Sequence, residues 1–151
     1  MYRNPENMIK ARIAETMVEE MFRKAGFQVY RFGYESVLQN LVQTKNRIDK
    51  SDEVGQVVAS MPDLLVVKKG IPDFIEVKYR KDGKLNRTEL NSWAQGRVIL
   101  VSPFPPYFRI SRVKEFLDTE ELYELDKDRY LPIPRKILDE FILLVKKYLK
   151  E

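Results

Sequence analysis

Residues 62–80 read PDLLVVKKGIPDFIEVKYR, two apolar runs parted by a turn. The pattern predicts a β-hairpin with strands at about 63–69 and 73–80. Strand interiors usually avoid Asp, Glu and Lys, yet Asp63, Glu76 and Lys78 interrupt these runs. Residues two apart in a strand share a face. Glu76 and Lys78 therefore project together, while Ile75 and Val77 face the other way, toward a core. A two-residue turn at Lys69-Gly70 places Asp63 opposite Glu76; a four-residue turn from Lys69 to Pro72 places it opposite Lys78. Directly opposed residues share a face, so either register gathers all three. A three-residue turn scatters them, because a one-residue slip moves a strand's side chains to the other face. Asp73 reads as a turn residue.

The bland reading of this trio is a solvated hairpin face with a weak cross-strand ion pair. The residue types also suit a reaction. Two adjacent carboxylates repel, so one must protonate or a cation must bind between them. The chain has neither histidine nor cysteine. That excludes Ser-His and Cys-His nucleophile pairs, disulfides and thiolate zinc sites. Oxygen ligands alone favour Mg²⁺, Mn²⁺ or Ca²⁺. Phosphodiester hydrolysis uses such an ion to polarise a phosphoryl oxygen and acidify a water. A neighbouring lysine can orient that water and stabilise developing negative charge.

Outward from the hairpin, a single domain over 1–151 fits the length of 151 residues. Residues 5–25 predict an amphipathic helix, with Ile9, Ile13, Met17, Met21 and Ala25 joined by Val18 and Phe22; Gly26 ends it. FQVYRFG (27–33) predicts a strand. YESVLQNLVQ is helical in pattern, TKNRIDKSDE is a polar loop, and the segment after it is ambiguous, so 34–60 reads as an insert. RTELNSWAQ (87–95) predicts a short helix with Asn86 as N-cap. RVILVS (97–102) is apolar throughout, which predicts a central strand covered on both faces. The prolines of PFPPYFRI restrict that stretch to a sheet edge or an extended loop. Ser111 is a candidate cap for a short helix at RVKEFL. A last helix from about Pro134 carries two stripes, Ile137/Phe141/Leu144/Tyr148 and Leu138/Ile142/Val145/Leu149. That wide apolar face predicts deep packing on the sheet or, as the alternative, a homodimer contact. Together these elements predict a mixed α/β layout.

No apolar run is long enough to cross a bilayer, and MYRNPENMIKARIAE lacks the apolar segment of a signal peptide. A cytoplasmic protein with no membrane partner is expected. The net charge of +4 and pI near 9.2 fit a nucleic-acid partner.

Pro62-Asp63 followed by Glu76-Val77-Lys78 resembles the signature of PD-(D/E)XK nucleases. The run AETMVEEMFRKAGFQVYRFG (14–33) is similar to the start of archaeal Holliday-junction resolvases, where an Ala-Glu pair stands about three turns before a Gly-aromatic pair. The resemblance covers about 9–33 and 61–101. It implies a restriction-endonuclease-like core of helix, three-strand meander, helix and strand. The insert and the C-terminal helix are additions to that core. It also implies that Glu15, from the first helix, joins Asp63 and Glu76 as ligands of Mg²⁺ (or Mn²⁺), with Lys78 positioning the water. Glu19 is the reserve for Glu15. The implied activity is that of a metal-dependent nuclease, an endonuclease acting on DNA, with RNA not excluded. Lys45, Arg47 and Lys50 of the insert, and Arg80, Lys81, Lys84 and Arg87 beyond the hairpin, are candidate backbone contacts. Trp93 and Tyr79 are candidate stacking residues, and Tyr34-Glu35 a candidate site edge. The competing expectation is a nucleic-acid-binding or assembly module that kept the fold and lost catalysis.

Overall fold

The computed structural model describes residues 4–31, 62–90 and 95–150. The expectations for the insert, including Tyr34, Glu35, Lys45, Arg47 and Lys50, and that for Trp93, lie outside the described residues.

Helix α1 (Pro5–Lys24) has terminal chemistry that matches its ends. The Asn4 side chain accepts from the Glu6 N–H at 2.9 Å, and Pro5 follows it in the first turn. At the other end Gly26, with φ of 96°, takes the left-handed conformation that L-residues avoid. The Phe27 N–H bonds to the Phe22 carbonyl and the Gly26 N–H to that of Arg23. Phe22 and Phe27 rings meet edge to face at 5.1 Å, the apolar contact that usually accompanies this cap. The chain thus leaves α1 directed into β1 (Gln28–Arg31).

Then come β2 (Leu64–Lys68), β3 (Ile71–Tyr79), β4 (Arg97–Val101) and β5 (Phe108–Arg112). Helix α2 (Val113–Thr119), the short β6 (Tyr123–Glu124) and α3 (Arg135–Tyr148) follow. The protein is a mixed α/β fold. Its described residues form three α-helices and a six-stranded sheet in the order β1-β2-β3-β4-β5-β6. Only the β3–β4 pair is parallel. A parallel neighbour requires a crossover connection, and residues 80–96 supply it.

The sheet has two unequal faces. On one, α1 and α3 pack over Leu64, Val66, Ile75, Val77, Ile99 and Ile110 to form the main core. On the other, Leu85 and Leu90 of the crossover and Val113 and Phe116 of α2 cover Val98 and Leu100. β4 is buried along its whole length, as its apolar run predicts. On α3 the stripe Leu138, Ile142, Val145 and Leu149 is buried, whereas Leu144 and Tyr148 of the first stripe are exposed. Packing on the sheet therefore uses one stripe plus Phe141 and, partly buried, Ile137. A Lys24–Glu140 ion pair joins α1 to α3.

Several local expectations are corrected. Residues 87–89 form a 3₁₀ turn rather than the start of an α-helix, and the Asn86 side chain makes no capping bond. Ser111 does not cap α2; it sits buried in β5, and Arg112 holds the capping position. The prolines lie in the turn before β5, so Phe108–Arg112 is free to pair on both sides, with β4 and β6. Asp73 belongs to β3, opposite Val66, and not to the turn.

Candidate active site

The hairpin takes the two-residue register. Lys68 pairs with Ile71 and Leu64 with Ile75. Lys69 and Gly70 both have positive φ, 52° and 77°. Such turns match the right-handed twist of the flanking strands. Continuing the register by one residue sets Asp63 opposite Glu76.

The regular ladder ends at Leu64–Ile75. One step further, Asp63 Oδ2 accepts the Val77 N–H at 2.7 Å. A side-chain carboxylate thus replaces the backbone acceptor that a longer strand would supply, and this holds the Asp63 side chain in place beside β3. Glu76 and Lys78 point away from Ile75 and Val77, toward the face that carries Val98 and Leu100. Lys78 Nζ lies 3.6 Å from Glu76 Oε1, with the two side chains 22% and 15% exposed. Glu76 also borders a small recess with Phe74, Leu90 and Val113. The pair is shielded by apolar neighbours and still reachable from solvent, where electrostatic interactions are stronger than in open water.

Glu15 is placed differently. It is buried on α1, the helix that covers the opposite sheet face. Among the described residues no three acidic side chains gather closely enough to hold a metal ion. Strand alternation turns Ile75 and Val77 toward α1 and Glu76 away from it. The reserve residue, Glu19, is buried and bridges Arg23 on its own helix to Arg31 on β1. It is a strut between α1 and the sheet edge.

The basic run after β3 is partly engaged. Arg80 pairs with Glu89 at 2.8 Å, and Arg87 with Glu120 at 3.1 Å. Lys81 and Lys84 are exposed. Tyr79 is buried and donates to the Leu149 carbonyl, so it packs α3 and offers no stacking surface.

An ion pair between buried Arg97 and half-buried Asp73 was not foreseen. Arg97, 6% exposed, donates to Asp73 Oδ2 at 3.0 Å, and its guanidinium lies 5.2 Å from the centre of the Tyr130 ring. Burial pushes the Asp73 carboxyl up from its ordinary range, and Arg97 draws it back only in part. The available signal was the alternation of Asp73 with Ile75 and Val77 on one face. Arg109 was also missed. It alternates with buried Phe108 and Ile110, and its Nη2 donates to the Gly83 carbonyl at 2.6 Å.

No protein-family model matches the chain, and no curated protein matches it. Among solved structures, a bacterial homing endonuclease, I-Ssp6803I, aligns over 94% of this chain and 93% of its own, at 17% identity and a TM-score of 0.43. Among the described residues no helix is long and apolar enough to cross a membrane.

Proposed function

We propose that the protein is a metal-dependent nuclease that hydrolyses DNA phosphodiester bonds as an endonuclease, with Asp63, Glu76 and Lys78 as its reactive group. The observation that carries this reading is the hairpin register. It sets two carboxylates opposite each other at the end of a ladder, beside an ammonium 3.6 Å from one of them. The order of helix, antiparallel three-strand meander, crossover and parallel strand supports the restriction-endonuclease-like core that the signature implies.

The donor set fits a hard cation. Mg²⁺ keeps several waters and takes one or two carboxylates together with substrate phosphates, so Asp63 and Glu76 suffice without Glu15. Such an ion, when bound, supplies Lewis-acid polarisation and an acidified water. The residues of the chain do the rest. The Val77 N–H orients Asp63, which removes a freedom that would otherwise be lost on binding. Lys78 orients the attacking water and stabilises charge developing on the phosphoryl oxygens. Phe74, Leu90 and Val113 limit water around Glu76.

Supercoiled plasmid incubated with Mg²⁺ or Mn²⁺ tests the proposal. Nicking that EDTA abolishes is expected, with about 100-fold loss or more in Asp63→Asn and in Lys78→Ala. Cleavage undiminished in both variants sinks it.

A second reading is favoured by one specific observation, the lack of a three-carboxylate cluster among the described residues. It is a nucleic-acid-binding or assembly module without catalysis. DNA binding with no cleavage of duplex, branched or single-stranded substrates in either metal establishes that reading instead.

A further inference from the structure

The sheet face that carries Glu76 and Lys78 continues sideways. Lys78 pairs with Leu100, and Leu100 with Arg109, so Lys78 and Arg109 lie in one row across three strands. Two strand spacings separate their Cα atoms by about 10 Å. On this side of the sheet a groove of about 560 Å³ opens. Arg109 lines it, residues 82–86 of the crossover form one wall, and Phe116, Glu120 and Leu122 form another.

Arg109 is poorly matched by the protein around it. Its neighbours Arg80 and Arg87 are each held by a glutamate. Arg109 has the Gly83 carbonyl as a partner for Nη2, its Nε is buried without one, and no carboxylate of the described residues reaches it. Half-burying a guanidinium without a counter-charge is costly. Burial accordingly draws the Arg109 pKa down from its ordinary value. Two of the acids along the groove are ion-paired, Glu89 with Arg80 and Glu120 with Arg87, and Asp82 accepts the Lys84 backbone N–H at 3.0 Å. Lys84, on the same wall, is exposed. A planar guanidinium short of an anion, in an open groove, is suited to a phosphate.

We infer that this groove is a phosphate subsite, in which Arg109 and Lys84 hold a backbone phosphate of the nucleic-acid strand engaged at Lys78. The identity of the ligand rests on the nuclease reading above. The contact adds affinity and sets strand direction without reading sequence.

Binding of labelled duplex and single-stranded DNA, followed by anisotropy over a salt series in EDTA, tests this independently of cleavage. Arg109→Gln removes the charge and keeps a polar amide at the position. Its affinity is expected to fall about threefold or more, equally for unrelated sequences, with the salt slope reduced by about one at an unchanged thermal midpoint. Asn86→Glu, which adds a carboxylate to the groove wall and leaves Arg109 intact, is expected to weaken binding likewise. Parental affinity and slope in both variants overturn the inference. Should Arg109→Gln fail to fold, Asn86→Glu decides alone. Inorganic phosphate that raises the parent's thermal midpoint but not that of Arg109→Gln, with DNA binding equal in the two, makes this a free-anion site and overturns the backbone assignment. Arg109-dependent binding in a protein that cleaves nothing leaves the subsite standing and sinks only the catalytic reading.

Discussion

Strand β3 carries an acid on each of its faces, and the two have opposite surroundings. On the helix-covered face Asp73 meets Arg97 at 3.0 Å, and Tyr130 covers the arginine. Opposite charges are matched there at hydrogen-bond distance, as in a structural ion pair. On the other face Glu76 meets Lys78 at 3.6 Å, longer than a hydrogen bond. A second carboxylate, that of Asp63, stands across the hairpin and is positioned by a backbone N–H. The same strand thus holds one saturated pair, Asp73–Arg97, and one looser acid–lysine pair with a second carboxylate across the hairpin.

Breaking the saturated pair gives the largest effect. Arg97→Met leaves the half-buried Asp73 without its hydrogen-bonded counter-charge, and unfolding in urea is expected to show a loss of about 3 kcal/mol, with DNA cleavage at permissive temperature retained. Titration of the Asp73 carboxyl carbon by NMR sharpens the point. In the parent its midpoint lies above the ordinary aspartate range, and in Arg97→Met higher still. An acid with a raised folded pKa binds its proton more tightly when native. Its contribution to stability therefore falls as pH rises from the ordinary aspartate range through the folded value.

Breaking the looser pair has the reverse profile. Lys78→Met is expected to lower cleavage about 100-fold, equivalent to about 2.7 kcal/mol of transition-state stabilisation, while the urea midpoint stays within error of the parent. A parallel collapse of stability would instead make Glu76–Lys78 a structural pair like Asp73–Arg97. Smaller effects are expected on α1. Glu19→Gln loses charge-assisted bonds to Arg23 and Arg31 and costs about 1–2 kcal/mol of stability, with activity unchanged. Glu15→Gln is expected to change the cleavage rate by less than about threefold. A loss as large as that of Asp63→Asn would show that α1 completes the metal site after all.

Much of the fold was legible because it depends on local pattern. The 3–4 spacing of Met17, Val18, Met21 and Phe22, closed by Gly26, defines α1 within a residue or so of its observed end. The unbroken run RVILV announces a strand buried on both faces. The face shared by Glu76 and Lys78 follows from alternation alone. The 3₁₀ turn at Arg87–Glu89 was not legible, because its polar residues fit the first turn of an α-helix equally well. Arg109 and Asp73 were missed because their significance depends on strands that pair across the sheet.

The sequence by itself determined the absence of histidine and cysteine, the two apolar strands of the hairpin and the grouping of an acid with a lysine on one face. These follow from composition and from a period of two, neither of which needs a neighbour. Only the tertiary structure decided between the two-residue and four-residue turns, and hence that Asp63 faces Glu76. It also decided that α1 covers the face that carries Ile75 and Val77. A helix can dock on either face of a sheet with its own apolar stripe unchanged, so the side it covers depends on crossover and packing, which no local pattern encodes.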